Sequence, residues 1–239
     1  LALRAFGSIF AVVEGDPRIL ALHGWARRGS DFRVALNGLG YLAPDLPGFG
    51  ASPEPAAAIG VDGYASLLQP LLDSLGSEPI LIGHSFGGRI AAVLAANQPD
   101  RFAGVVLIGV PLIRRTTTSR PPLLYRLTRW AHRRKLLPDS AIETLRQRYG
   151  STDYRAVTGV MREILVKAVN DDYAELLPRL QPPVVLLWGA DDREVPFTVA
   201  EAAAAVIPQA DLRVVKGAGH LLPLSHPEEL RRAVESLRR

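Results

Sequence analysis

Short apolar runs recur along the chain, and stretches with helical spacing lie between many of them. Residues 9–13, 19–22, 41–43, 80–82, 105–108, 184–188 and 212–215 read as strands. Several lack polar alternation, as expected of strands covered on both faces. Residues 64–75, 89–97, 199–206 and 228–237 carry apolar positions at helical intervals. Asp62 stands where it would cap the first of these, and Pro227 fits the first turn of the last. Strands alternating with helices predict an α/β fold with a mostly parallel central sheet and helices on both faces.

One region breaks the rhythm. Residues 112–178 hold no convincing buried strand, whereas 123–130, 141–149 and 156–169 read as helices. The expected organisation is therefore a core of residues 1–111 and 179–239, with a helical cap insertion at 112–178 over the carboxyl ends of the strands.

Composition sharpens this picture in two places. With no Cys, there is no disulfide, thiolate nucleophile or cysteine-ligated metal. No apolar stretch approaches the roughly 20 residues that span a bilayer, and no basic-then-apolar leader opens the chain. A cytoplasmic location is the expectation, although a start at Leu1 rather than Met leaves room for a trimmed leader. The net charge of +4 is unevenly spread: residues 112–178 hold 13 Lys/Arg against 7 Asp/Glu, so the remainder is net negative. Arg114, Arg115, Arg120, Arg126, Arg129, Arg133, Arg134 and Lys135 form a basic patch suited to an acidic acyl carrier or an anionic substrate. The alternative is a solvated helical face. No nucleic-acid-binding motif accompanies the charge.

The chemistry concentrates at strand ends. Gly83-His84-Ser85-Phe86-Gly87 follows one apolar run and precedes a helical one. In that strand–turn–helix setting, G-x-S-x-G raises the serine on a strained turn, with glycines removing side chains that would collide. A serine hydroxyl needs a base to take its proton, and the base needs a third group to orient it. The run at 184–188 leads into Gly189-Ala190-Asp191-Asp192, which supplies an acid; the run at 212–215 leads into Lys216-Gly217-Ala218-Gly219-His220, which supplies the base. Asp191 and Asp192 compete for the acid role, the alternative for Asp191 being a turn residue. The order Ser85, acid, His220 is that expected of this chemistry. No cofactor and no metal is needed for it.

Leu22-His23-Gly24-Trp25 follows an earlier strand. The backbone amides of Trp25 and Phe86 are the candidate oxyanion donors. His23, Gly24 and Phe49 are candidate pocket residues; for Trp25, Phe49 and Phe86 ordinary core packing is the competing reading. Asp45-Leu46-Pro47-Gly48-Phe49-Gly50 reads as a structural turn. His84 and His226 read as packing or surface residues, and His132 has no matching acid nearby in sequence.

These motifs resemble the α/β-hydrolase superfamily in order and spacing, over nearly the whole chain outside the cap. The resemblance implies a nucleophile at Ser85, an acid at Asp192 rather than Asp191, a base at His220, and hydrolysis of carboxylic esters. The His23-Gly24-Trp25 loop is similar to that of pimeloyl carrier-protein methyl ester esterases, which depart from this chain by a Gly-Trp at the serine motif. The stretch Trp188-Gly189-Ala190-Asp191-Asp192-Arg193 is similar to that of meta-cleavage-product C–C hydrolases, for which Arg193 would help to hold an anionic substrate. A ligand receptor on the same scaffold is the non-enzymatic alternative. Epoxide hydrolysis and dehalogenation are disfavoured, since those relatives carry Asp where this chain has Ser85.

Overall fold

A computed structural model describes residues 2–113, Thr128, Arg134 and 152–238. The expected helices at 123–130 and 141–149 lie outside the described residues, apart from Thr128, as does most of the basic patch, of which Arg134 is described.

The apolar runs become the interior of one sheet. Its strands are β1 (Ala2–Phe6), β2 (Ile9–Glu14), β3 (Ile19–Leu22), β4 (Tyr41–Pro44), β5 (Ile80–His84), β6 (Gly104–Ile108), β7 (Val184–Gly189) and β8 (Ala210–Val215). They lie in the order β1-β2-β4-β3-β5-β6-β7-β8. The β1–β2 and β2–β4 pairs are antiparallel, and all others are parallel. Ile80 of β5 lies opposite Ile19 of β3 and Gly104 of β6, so the carboxyl ends of these strands finish side by side.

The missing alternation in the central strands has a direct cause. Leu20 and Leu22, Leu81, Val105 and Leu107, and Leu186 and Trp188 enter one core cluster. Ile19 and Ala21, Ile80 and Ile82, Val106 and Ile108, and Val185 and Leu187 enter the other. Side chains still alternate between faces, but both faces are dry. Full burial of each Leu or Ile contributes about 1.5–3 kcal/mol.

The described helices are α1 (Arg33–Leu36), α2 (Val61–Leu67), α3 (Gln69–Asp73), α4 (Phe86–Asn97), α5 (Thr152–Ala156), α6 (Gly159–Asn170), α7 (Phe197–Ala204), α8 (Leu222–Ser225) and α9 (Pro227–Glu235). Residues of α2, α3, α4, α6 and α7 share the first cluster, while α1, α8 and α9 share the second. In α4 every residue from Phe86 to Ala96 is buried, and its small residues permit close approach to the sheet.

Three sequence expectations are corrected here. The stretch 64–75 is two helices, α2 and α3, because Pro70 lacks an N–H and crowds the preceding turn. Asp62 does not cap α2; Gly60 occupies the cap position and Asp62 lies within the first turn. The stretch 156–169 is interrupted: α5 ends at Ala156, and α6 begins at Gly159 after an extended Thr158 at its N-cap. Pro227 does open α9. The turn after β4 is structural: Asp45 accepts hydrogen bonds from the amides of Gly29 and Ala51, both at 2.8 Å.

The segment between β6 and β7 is tied back to the core by Arg89 of α4. Its buried guanidinium donates to Ala168 O at 2.6 Å and to Pro111 O at 3.4 Å. Tyr173 N–H donates to Leu112 O at 3.1 Å, joining departing and returning chain.

Candidate active site

The turn between β5 and α4 carries Ser85 at φ +48°, ψ −111°. A non-glycine residue held there costs on the order of 1–3 kcal/mol, which the surroundings must impose. They do so by close packing. A Cβ on Gly83 would lie 2.4 Å from Gly88 Cα, and one on Gly87 would lie 2.3 Å from Leu22 O. Only glycine at both positions lets the turn close against β3. Ser85 N–H donates to Ile108 O at 2.9 Å, extending the ladder to the residue itself. Its hydroxyl has no hydrogen-bond partner among the described residues.

The loop after β3 runs alongside. A Cβ on Gly24 would lie 3.3 Å from Ser85 Cβ. His23 is buried and fully engaged: its Nδ1 is 2.7 Å from Gly24 O, and Leu46 N–H donates to its Nε2 at 2.9 Å. Nε2 as acceptor makes Nδ1 the donor, so the ring is neutral. Burial pushes its pKa down to about 4. Among the described residues, neither the Trp25 amide nor the Phe86 amide has an acceptor. The latter is one of the orphan donors that open a helix. Trp25 and Phe49 meet edge-on at 4.9 Å, Trp25 and Phe86 at 5.2 Å, and Phe49 meets His23 at 5.6 Å. The Trp25 indole N–H is buried there with no partner among the described residues.

Asp192 and His220 meet on the other side. His220 Nδ1–H donates to Asp192 Oδ2 at 2.8 Å. Asp192 Oδ1 accepts the amides of Glu194 and Val195, both at 2.9 Å. The turn is pinned by Trp188 Nε1–H donating to Val195 O at 2.9 Å. Asp191 points its side chain into solvent, while its N–H donates to Ala218 O and ties this loop to that of His220. The geometry thus separates the two aspartates.

Two residues escaped the sequence reading. His84, read as packing, places Nε2 2.8 Å from His220 O, with the two rings 4.9 Å apart. It therefore tethers the His220 loop to the strand that leads into Ser85. Its place between the glycine and the serine was the available signal. Burial, with the nearby His220, pushes its pKa down to about 3. Glu194 brings Oε2 to 3.4 Å from His220 Nε2; nothing in the sequence marked it. For His220 itself, burial pulls the pKa down, but the hydrogen bond and charge of Asp192, with Glu194 and Asp153, outweigh it and raise the pKa above 6.5. Gly109 borders the pair, a Cβ there lying 3.1 Å from Asp192 Oδ2. His226 lies apart beside Ser225 at the start of α9. Arg193 is exposed, and His132 lies outside the described residues.

A family model described as "Alpha/beta hydrolase family" matches residues 19–233. The chain is 32% identical over 232 residues to the magnesium-chelatase 30 kDa subunit of Rhodobacter capsulatus, covering 86% of this chain and 81% of that one. It is 28% identical over 248 residues to a 2-hydroxy-6-oxononadienedioate/2-hydroxy-6-oxononatrienedioate hydrolase of a Pseudomonas species, covering 92% and 87%. It is also 28% identical over 250 residues to a pimeloyl-[acyl-carrier protein] methyl ester esterase of Aromatoleum aromaticum, covering 92% and 98%. Both groups that the motifs resemble are among the relatives. No described helix is long and apolar enough to cross a membrane.

Proposed function

The chain belongs to the alpha/beta hydrolase family, and on that premise we propose that it is a serine hydrolase that cleaves carboxylic esters through an acyl-enzyme. Ser85 attacks the carbonyl carbon while His220 Nε2 takes its proton. Asp192, hydrogen-bonded at Nδ1, holds the tautomer and stabilises the imidazolium. The Trp25 and Phe86 amides receive the oxyanion, each worth roughly 3–4 kcal/mol by analogy with removal of a single donor. The imidazolium then protonates the departing alcohol, and the neutral ring activates water for deacylation.

The observation that carries this reading is the Asp192–His220 hydrogen bond, whose loop is tethered through His84 to the strand end that bears Ser85. The esterase relative supports the reaction class. Residues 112–178 are proposed to serve as a cap over the site, and its basic residues as a surface for an acidic acyl carrier. The purified protein should hydrolyse a short-chain nitrophenyl ester. Ser85→Ala should lower kcat by on the order of 10⁴-fold or more. Equal rates for the two forms would reject the assignment.

A second reading is hydrolysis of a C–C bond in a dienoic diketone, favoured by the oxononadienedioate hydrolase relative. Loss of a yellow ring-fission product with little ester turnover would select it. A third is a non-catalytic ligand receptor on the same scaffold, a reading with which the relative named as a magnesium-chelatase subunit is compatible. An intact Asp192–His220 pair argues against it, and inactivity toward both substrates would support it.

A further inference from the structure

The base has a carboxylate at each end of its ring. Asp192 holds Nδ1 at 2.8 Å, and Glu194 Oε2 stands 3.4 Å from Nε2. Nε2 is the nitrogen that the serine mechanism reserves for the nucleophile, yet the Ser85 hydroxyl makes no hydrogen bond among the described residues. We propose that Glu194 is a positioning residue that holds the Nε2 edge of His220 in the resting site, in competition with the Ser85 hydroxyl. The proposal rests on the serine hydrolase reading.

The local build supports an exchange. The Glu194 amide is fixed to Asp192 Oδ1 at 2.9 Å, so its side chain leaves the same turn that orients the ring. The side chain is 65% exposed and free to swing outward at little cost. Among the described residues, the charged and titratable groups facing His220 are Asp192 and Glu194 from the loop after β7, His84 from β5, and Asp153 from α5. His84 is held neutral by burial, so the balance of these described groups is anionic. A carboxylate at Nε2 favours the doubly protonated ring, which cannot take a proton from serine. Once the ring is neutral, its Nε2 lone pair and the carboxylate repel, Glu194 leaves, and the edge is open to Ser85. Glu194 would thus set the pH at which the base becomes available.

The test is the pH profile of kcat/KM for a neutral nitrophenyl ester, in wild type and Glu194→Gln. The expected result is an acid limb displaced downward by about half a pH unit, the size suited to an exposed ion pair. The rate on the acid side would then rise about threefold, with the rate at pH 8 unchanged. Glu194→Asp, one methylene shorter, should fall between the two, and 1 M NaCl should shrink the difference. A limb that does not move, or a uniform loss at every pH, overturns the proposal. If wild type hydrolyses no ester, the serine hydrolase reading fails on its own. Titration of the His220 ring by NMR, assigned with His220→Ala, then decides: a lower pKa in Glu194→Gln supports the contact, and superimposable curves refute it.

Discussion

The two halves of the candidate site are built by different physics. The half at the ends of β3 and β5 is made by shape. Gly83 and Gly87 allow backbones to approach where any Cβ would meet another backbone atom within 2.4 Å, and Ser85 is held at φ +48° as a result. Its histidines, His23 and His84, are buried, neutral and bonded to backbone. The half at the ends of β7 and β8 is made by charge. Asp192 collects three hydrogen bonds, and His220 is pulled by carboxylates toward its protonated form. His84 and His220 show the contrast at 4.9 Å: one imidazole is pushed down by burial, its neighbour up by anions. Substitutions in the first half should therefore damage stability and activity together, and those in the second should damage activity alone.

Gly87→Ala should have the largest effect. The added methyl would press on Leu22 O, with no flexible side chain to yield. Hydrolysis should be lost, and a destabilisation of about 3 kcal/mol should lower Tm by roughly 6–12 °C. A variant with native Tm and full activity would break the claim that shape builds this half. Asp192→Asn should lower kcat by about 10³–10⁴-fold while leaving Tm within a few degrees, since the amide oxygen can still accept the Glu194 and Val195 N–H groups. A loss of stability as large as that of Gly87→Ala would erase the contrast.

The pH dependence sharpens it further. In the proposed mechanism His220 must be neutral to accept the serine proton, so kcat/KM should fall as pH drops through a pKa above 6.5. The stability it contributes through its raised pKa is present below 6.5 and lost as pH rises through the folded value. His23 has the opposite sign. Its lowered pKa contributes stability that is present above 6.5 and lost as pH falls toward about 4. Between pH 7 and pH 5 the loss is about 2 kcal/mol. In His23→Gln the stability difference between pH 7 and pH 5, measured by urea unfolding, should shrink by about that amount. An unchanged difference would mean that the ring is not held neutral. A smaller effect is expected at His84→Gln: about a tenfold loss of kcat as the His220 loop loosens, with KM little changed and a modest drop in Tm. An unaltered kcat would show that the tether is dispensable.

Much of this arrangement was legible in the sequence because the parallel strands are buried on both faces and announce themselves as apolar runs. The serine turn, Asp192 and His220 were legible because each follows such a run within a few residues, among glycines. β1 was not, since it is an exposed edge whose residues bury little and which pairs only with β2. The break between α2 and α3 was carried by Pro70 alone, inside an otherwise continuous apolar pattern. The roles of His84 and Glu194 depend on contacts across 136 and 26 residues of chain, respectively, which no local pattern encodes. The resemblance put Asp192 ahead of Asp191; in the structure Asp192 is the one whose carboxylate carries the three bonds.

The most direct test of Ser85 as a nucleophile primed by His220 is mass-spectrometric mapping of the site labelled by a fluorophosphonate. Stoichiometric modification of Ser85 at pH 8, reduced by orders of magnitude in His220→Ala, is the expected result. Labelling at another residue, or equal labelling of Ser85 without the imidazole, would contradict the account.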